Sequence, residues 1–298
     1  MSYSRTFEVA LPQARLSDYM SLTKPRLLLM VLLSTLAGYY LASPPAPHAL
    51  MMTGLMVGMA LAAGGALALN QYLERDVDAR MKRTCHRALP EGRLQPEQAL
   101  MFGTAVTVTG LLILALGPGL TCAVVTLLST IGYLFVYTPL KRRSPLCTLA
   151  GAVPGALPPV AGWAAARGTI DLEAWILFAI LFLWQMPHSL AIAQMYRADY
   201  ERAGLRLLPV IDPQGRSTDR QIFLHSMALL AVGLLPTLVG LAGVIYFWTA
   251  LALGMILLGF AGFMAVKRSN DAARRLMLVS LVYLPVLLVV MTLDKVRL

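Results

Sequence analysis

Nine stretches of mostly apolar residues run through this chain of 298 residues. They lie at about 26–43, 48–71, 98–116, 119–139, 147–165, 173–195, 222–243, 246–266 and 275–293. About twenty such residues are what an α-helix needs to cross the hydrocarbon core of a bilayer. Hydrophobic residues make up 58% of the chain and charged ones 13%. A soluble fold of this length has too little interior to hide that much apolar side chain. A cytosolic enzyme, a nucleic-acid-binding module and a disordered chain are therefore poor readings. The expected fold is all-α, a polytopic membrane protein with a bundle of nine transmembrane helices and cap loops at one end. Breaks such as Ser43-Pro44-Pro45-Ala46-Pro47 and Gly117-Pro118-Gly119 cannot continue a helix. The least marked break lies near Val244–Trp248, where no charge separates the seventh run from the eighth.

Charge gives a test that does not depend on hydropathy. If nine helices start from a cytoplasmic N-terminus, every basic residue except Arg167, Lys295 and Arg297 falls on the cytoplasmic side. That is the asymmetry expected of an inserted bundle. Eight or ten helices would spoil it at one end. The expected location is the bacterial inner membrane, with the C-terminus periplasmic. No cleavable signal is expected, because the first apolar run follows 25 fairly polar residues. With no long polar insertion, residues 1–298 read as a single domain preceded by a cytoplasmic arm, 1–25. Cys85, Cys122 and Cys147 lack metal-ligand spacing and read as free thiols.

Two long polar loops, 72–97 and 196–221, fall on the cytoplasmic side. Where the second helix runs into the first loop, Asn70, Glu74 and Asp78 recur at i, i+4 and i+8 and share one helical face. Two carboxylates and an amide are hard oxygen ligands of the kind Mg²⁺ takes, with the rest of its shell left to water and phosphate oxygens. Arg75, Arg80, Lys82, Arg83 and Arg87 are interleaved with them. Metal and basic side chains at one place suit a diphosphate, whose negative charge grows as it leaves. The same charges would also suit a salt-bridged loop at a membrane surface. However, an amide at the end of an apolar helix is not what such a loop needs. The small residues Gly64, Gly65, Ala66 and Ala68 permit close helix packing or a ligand beside the backbone.

The second loop follows Trp184-Gln185-Met186-Pro187-His188-Ser189 and contains Asp199 and Tyr200. If the sixth helix continues, His188 and Asp199 share a face about 16 Å apart. His188 would then sit near mid-bilayer, where an ionisable side chain either serves function or hydrogen-bonds a neighbouring helix. Pro187 should kink the helix. A third segment carries Tyr137, Lys141, Arg142 and Arg143, and then the Gly- and Pro-rich run Gly151–Pro159. The basic triplet suits a diphosphate or simply orients the loop, and the run after it should not form a regular helix.

Together these segments resemble the UbiA-type intramembrane prenyltransferases, which carry Asn-x3-Asp-x3-Asp on the second helix and a second acidic motif after the sixth. The resemblance is closest to the heme branch. Its marks here are Asp76-Val77-Asp78-Ala79-Arg80-Met81-Lys82-Arg83-Thr84, Tyr137-Thr138-Pro139-Leu140-Lys141-Arg142-Arg143, Gly155-Ala156-Leu157-Pro158-Pro159, Trp184-Gln185-Met186-Pro187-His188 and Asp199-Tyr200-Glu201-Arg202-Ala203-Gly204. They run in order from about residue 20 to 212. Some positions depart from the pattern. Glu74 stands for the usual Asp, a residue is inserted within Arg87-Ala88-Leu89-Pro90, and Cys147 and Ser189 replace commoner residues. Ala203 stands where a general second motif would place its second acid, as is normal in the heme branch.

The resemblance implies transfer of a farnesyl group from farnesyl diphosphate to the vinyl group of heme b, giving heme O for terminal oxidases. It implies Mg²⁺ held by Asn70, Glu74 and Asp78 with help from Asp199. Lys141 would be catalytic alongside them. It places Tyr137, Arg75, Lys82, Arg83, Arg87, Lys141 and Arg142 around the diphosphate, and Gln185, His188 and Tyr200 near the porphyrin or its cavity. The lipid bilayer and a downstream heme A synthase or oxidase assembly factor are the expected partners. Nucleic acid is not, and no oligomeric state follows. Transfer to an aromatic quinone precursor, heme binding without catalysis and transport are the other readings. Ala203 weighs against the first. Acid–base clusters gathered at one interface, without a repeat, weigh against transport.

Overall fold

The computed structural model describes residues 14–44 and 48–296. Arg5 and Glu8 of the N-terminal arm, the segment Pro45-Ala46-Pro47, and Arg297 lie outside the described residues. Among the described residues nine helices are long and apolar enough to cross a membrane. They are α2 (Pro25–Ala42), α3 (Ala49–Asp78), α4 (Pro96–Leu116), α5 (Leu120–Leu140), a broken span of α6 (Cys147–Ala156) and α7 (Pro158–Arg167), α8 (Leu172–Met195), α11 (Arg216–Leu238), α12 (Val244–Lys267) and α13 (Asn270–Leu293). Short helices α1 (Leu16–Leu22), α9 (Arg197–Arg202) and α10 (Leu208–Ile211) lie at the end of the bundle that carries the polar loops.

The expected number of spans is met, and most boundaries fall within a few residues of the hydropathy limits. Three differences have physical causes. First, α3 runs past the end of its apolar stretch to Asp78, because Glu74 and Asp78 find basic partners and the polar turns remain helical. Second, the seventh span begins earlier and ends earlier than hydropathy suggests. Arg216 and Asp219 form its first turn, and Gly240 at φ +76° turns the chain before α12. Third, the sixth helix does not continue to Asp199. Tyr196 leaves helical geometry (φ −106°, ψ 21°), so α9 is a separate helix and the shared face drawn from a continuous one does not apply. The chain passes through Pro187 within α8, whereas the Gly- and Pro-rich span breaks at Leu157, as expected.

The broken α6–α7 span and α8 are the most buried, and α4, α5, α11 and α12 the least. Large apolar side chains such as Leu116, Leu128, Phe135, Ile245 and Val266 stand exposed around the bundle. Water would penalise that surface, whereas lipid does not. The chain is thus a multi-pass membrane protein. α3 packs closely along α4. A Cβ on Gly65 would come within 2.3 Å of Thr107 Oγ1, and one on Gly110 within 2.3 Å of the Ala62 nitrogen. Glycine therefore sets the distance at which the backbones meet, which is the packing use expected of the small residues on α3. This contact holds the acidic end of α3 in place.

Candidate active site

The last two turns of α3 carry Asn70, Glu74 and Asp78 on one face. Asn70 and Asp78 are almost fully buried, and the Glu74 side chain is 13% exposed. Lys24, Tyr133, Thr138, Lys141 and Arg87 converge on them from other elements. α5 contributes through a π-helical segment, Gly132–Tyr137. Such a segment adds a residue to the turn and re-aims the side chains that follow, and it is frequent at functional sites. Here it brings the Tyr133 hydroxyl to donate to Asn70 Oδ1 at 3.0 Å, while Asn70 Nδ2 donates to Thr138 Oγ1 at 3.0 Å. Lys24 Nζ donates to the same Asn70 oxygen at 3.0 Å. Three partners therefore fix the amide's orientation.

Each acid meets a cation. Lys141 Nζ lies 2.7 Å from Glu74 Oε1 and 4.3 Å from the centre of the Tyr137 ring. Arg87 Nη1 lies 2.5 Å from Asp78 Oδ2. Asp199 pairs with Arg202 in the next turn. Burial, followed by Arg87 and Lys141, pulls the Lys24 ammonium down to about 7. Burial also acts to lower Lys141, but Tyr137 and Glu74 outweigh it and hold its ammonium above the ordinary lysine range.

The second polar loop closes against α3 through apolar contacts. Val77 and Met81 pack with Ala203 and Leu205, and with Tyr200 at the margin. The Arg83 guanidinium lies over the Tyr196 ring at 4.9 Å and reaches the Tyr200 hydroxyl at 3.5 Å. The Arg206 nitrogen donates to the Lys141 carbonyl at 2.8 Å, tying the two loop systems together. Other candidates lie apart from this cluster. Arg75 turns to the Tyr72 carbonyl and ring and to Asp76. Lys82 and Arg142 are exposed.

Within the bundle, His188 Nδ1 lies 2.8 Å from Ser280 Oγ on α13 and its ring stacks on Trp184 at 4.8 Å. Its Nε2 has no protein partner among the described residues. Gln185 donates to the carbonyls of Ala152 and Leu181. Gly155 makes room for it, since a Cβ there would stand 2.1 Å from Gln185 Oε1.

Lys24 and Tyr133 were not singled out as site residues from sequence, and Thr138 entered only as part of the segment Tyr137–Arg143. Tyr133 lies one turn before Tyr137, and that i, i+4 spacing was the available signal. For Lys24 the sequence offered only its place before Pro25.

Among the described residues no three His, Cys, Asp or Glu side chains converge as a metal group. The donor set on α3 instead depends on the Asn70 amide and two carboxylates. Glu74 and Asp78 each keep one oxygen without a hydrogen-bond partner among the described residues. The two carboxylates, hard donors with open oxygens ringed by cations, fit a divalent ion that completes its shell with phosphate oxygens, whereas Asn70 Oδ1 would join only by releasing Tyr133 or Lys24.

Comparison with known proteins shows the family and the fold. The chain is 44% identical over 287 residues to the protoheme IX farnesyltransferase of Solibacter usitatus (strain Ellin6076), covering 93% of this chain and 98% of the relative. Its fold is shared with a solved digeranylgeranylglyceryl phosphate synthase (TM-score 0.79, 14% identity, 95% and 99% of the two chains). It is also shared with a UbiA homologue from Archaeoglobus fulgidus bound to GPP and Mg²⁺ (TM-score 0.68, 15% identity, 92% and 99%). The model of the UbiA prenyltransferase family matches residues 31–284, which take in the acidic face of α3, the π-helical turn and α9, and the chain belongs to that family.

Proposed function

We propose that this prenyltransferase moves a farnesyl group from farnesyl diphosphate to a vinyl group of protoheme IX, giving heme O and diphosphate. The observation that carries this reading is the near full-length similarity, at 44% identity, to a protein named protoheme IX farnesyltransferase. The acidic face of α3 and its ring of cations support it. In this reading Asn70, Glu74 and Asp78, with Asp199, hold Mg²⁺. When bound, the ion supplies positive charge to the departing diphosphate.

The chain's own residues do the rest. Lys141 and Arg87 already stand on the acids and are positioned to neutralise phosphate oxygens. Arg83, held on Tyr196 and Tyr200, closes the other loop toward the same place, and Tyr137 supports Lys141 from below. Arg75, Lys82 and Arg142 would reach the diphosphate only by swinging inward from their present positions. The bundle interior takes the isoprenoid and keeps stray water from the allylic cation. The heme vinyl carbon then attacks that cation, and one water completes the hydroxyethylfarnesyl group with loss of a proton. We place the polar-loop end in the cytoplasm, with the C-terminus outside, because nearly all the basic residues gather there.

The test is product analysis. Membranes containing the protein are supplied with heme b, farnesyl diphosphate and Mg²⁺, and the hemes are extracted and separated by reverse-phase chromatography with mass detection. A late-eluting heme carrying hydroxyethylfarnesyl is expected, and it should vanish with EDTA and return with added Mg²⁺. Unchanged heme b in folded, metal-supplied protein would refute the reading.

In this reading His188 would lie beside the porphyrin and offer its unpartnered Nε2 as an iron ligand. Purified His188→Ala should bind heme more weakly and lose the absorption bands of an imidazole-ligated iron. An unchanged affinity and spectrum would remove the ligand role and leave His188 as a link between α8 and α13.

A further inference from the structure

A polar chamber of about 360 Å³ lies behind the acidic face, between α1, α3 and the turns that follow Asp78. Its charge comes from Lys24, Arg87 and Arg93 against the single carboxylate of Asp18, with Ser17 and His86 completing the wall. It is a different space from the acidic face. Gln71, one residue beyond Asn70 and therefore about 100° round the helix, forms part of its lining and fastens α1 by donating to the carbonyls of Ser21 and Leu22.

The cations in this wall are unequally satisfied. Arg93 is held by Asp18, Glu91 and the His86 carbonyl. Arg87 spends one nitrogen on Asp78. Lys24 has no carboxylate partner among the described residues; its one hydrogen bond goes to the neutral amide oxygen of Asn70. Its backbone is held at φ +47°, a strained conformation for a residue with a side chain. An ammonium has three donors. Glu74 and Asp78 are near enough to act on the Lys24 charge, but neither accepts a hydrogen bond from it, so two of its donors are left for an anion.

We propose that this chamber is a binding site for a phosphate-class oxyanion, separate from the diphosphate position on the acidic face. Lys24 and Arg87 donate from the α3 side, and Ser17 and His86 from the other. Every lining residue except Ala88 carries a polar or charged side chain, so the chamber offers an anion several donors. The phosphate group has two possible sources. α1 exposes Leu16 and Met20 on its outer face, as a helix lying at a membrane surface would, so the group can belong to a lipid headgroup. It can equally be free phosphate or diphosphate. The occupant draws on the same two cations that hold Asn70 and Asp78.

The experiment is calorimetric titration of the full-length protein in nanodiscs with inorganic phosphate and then pyrophosphate, in EDTA so that no metal bridges an anion to the acidic face. Saturable binding near one equivalent is expected. Ser17→Glu places a carboxylate in the chamber at an exposed position and should weaken binding at least tenfold. Lys24→Met should do the same by removing the donor. Lys141→Met, on the acidic face, should change it less than twofold. Discs of phosphatidylcholine alone and discs with added phosphatidylglycerol separate the sources. Competition by the anionic lipid, abolished by Ser17→Glu, assigns the chamber to a headgroup, and indifference to lipid assigns it to the free anion. Absence of saturable binding in both discs, or binding weakened by Lys141→Met and not by Ser17→Glu, would overturn the proposal.

Discussion

Asp78→Asn should lower farnesyl transfer by about 10²- to 10³-fold, the usual cost of removing one preorganised group at a developing charge. The side chain is almost completely buried, and it is the carboxylate to which Arg87 is anchored. The amide keeps the shape but removes the charge, so two functions fail together. The α3 face loses a hard anionic ligand, and Arg87 loses the group that fixes it beside the acids. Mn²⁺ binding, followed by electron paramagnetic resonance in the presence of pyrophosphate, should weaken in parallel. Asp271→Asn is the control. That residue is exposed and paired with Arg275 at the start of α13, and its loss should leave the rate within twofold. Full activity in Asp78→Asn, with unchanged Mn²⁺ binding, would remove Asp78 from the metal set and with it the assignment of the whole face.

Hydropathy located the nine spans because lipid leaves the chain little choice. A run of about twenty apolar residues has to be helical to satisfy its own backbone. The acidic face was legible for a related reason. Asn70, Glu74 and Asp78 repeat at helical spacing, and α3 does continue through them. Tertiary packing decided the places where the reading ended. Nothing in Gln194-Met195-Tyr196-Arg197 signals a break. The helix stops at Tyr196 so that Ala203 and Leu205 can pack on Val77 and Met81, two residues more than a hundred positions earlier. The partners of the acids were equally hidden. Periodicity identifies a face but not what comes to it, and five basic residues between Arg75 and Arg87 competed for that place. Arg87 is the one found on Asp78. Lys24 came from a left-handed turn, and Tyr133 from a π-helical one, neither of which apolar patterning encodes. The same limit applied to His188. Its depth in the bundle was readable, but Ser280, its partner, lies 92 residues away.

The ion pair between Lys141 and Glu74 offers a way to separate what holds the site together from what performs the reaction. Both side chains are about one-seventh exposed, so each depends on the other for its charge balance. Lys141→Met should therefore cost about 3–5 kcal/mol, the usual penalty when one partner of a buried pair is removed and the other is left charged. It would appear as a lower Tm in detergent. Glu74→Gln should be milder than Lys141→Met, because Lys141 still rests over the Tyr137 ring and can turn toward solvent. The double variant Glu74→Gln/Lys141→Met removes both charges, and its Tm should recover to near that of the wild type, giving a coupling energy of the sign and size expected for residues in contact. Activity should not recover with it. One substitution removes a metal ligand and the other a phosphate partner, so heme O formation should be lost in both single variants and in the double. A double variant that regained stability and farnesyl transfer together would mean that the pair serves only as a brace between α3 and the end of α5. A stable but inactive double variant would mean that the same two side chains neutralise each other in the fold and act on the substrate in the reaction.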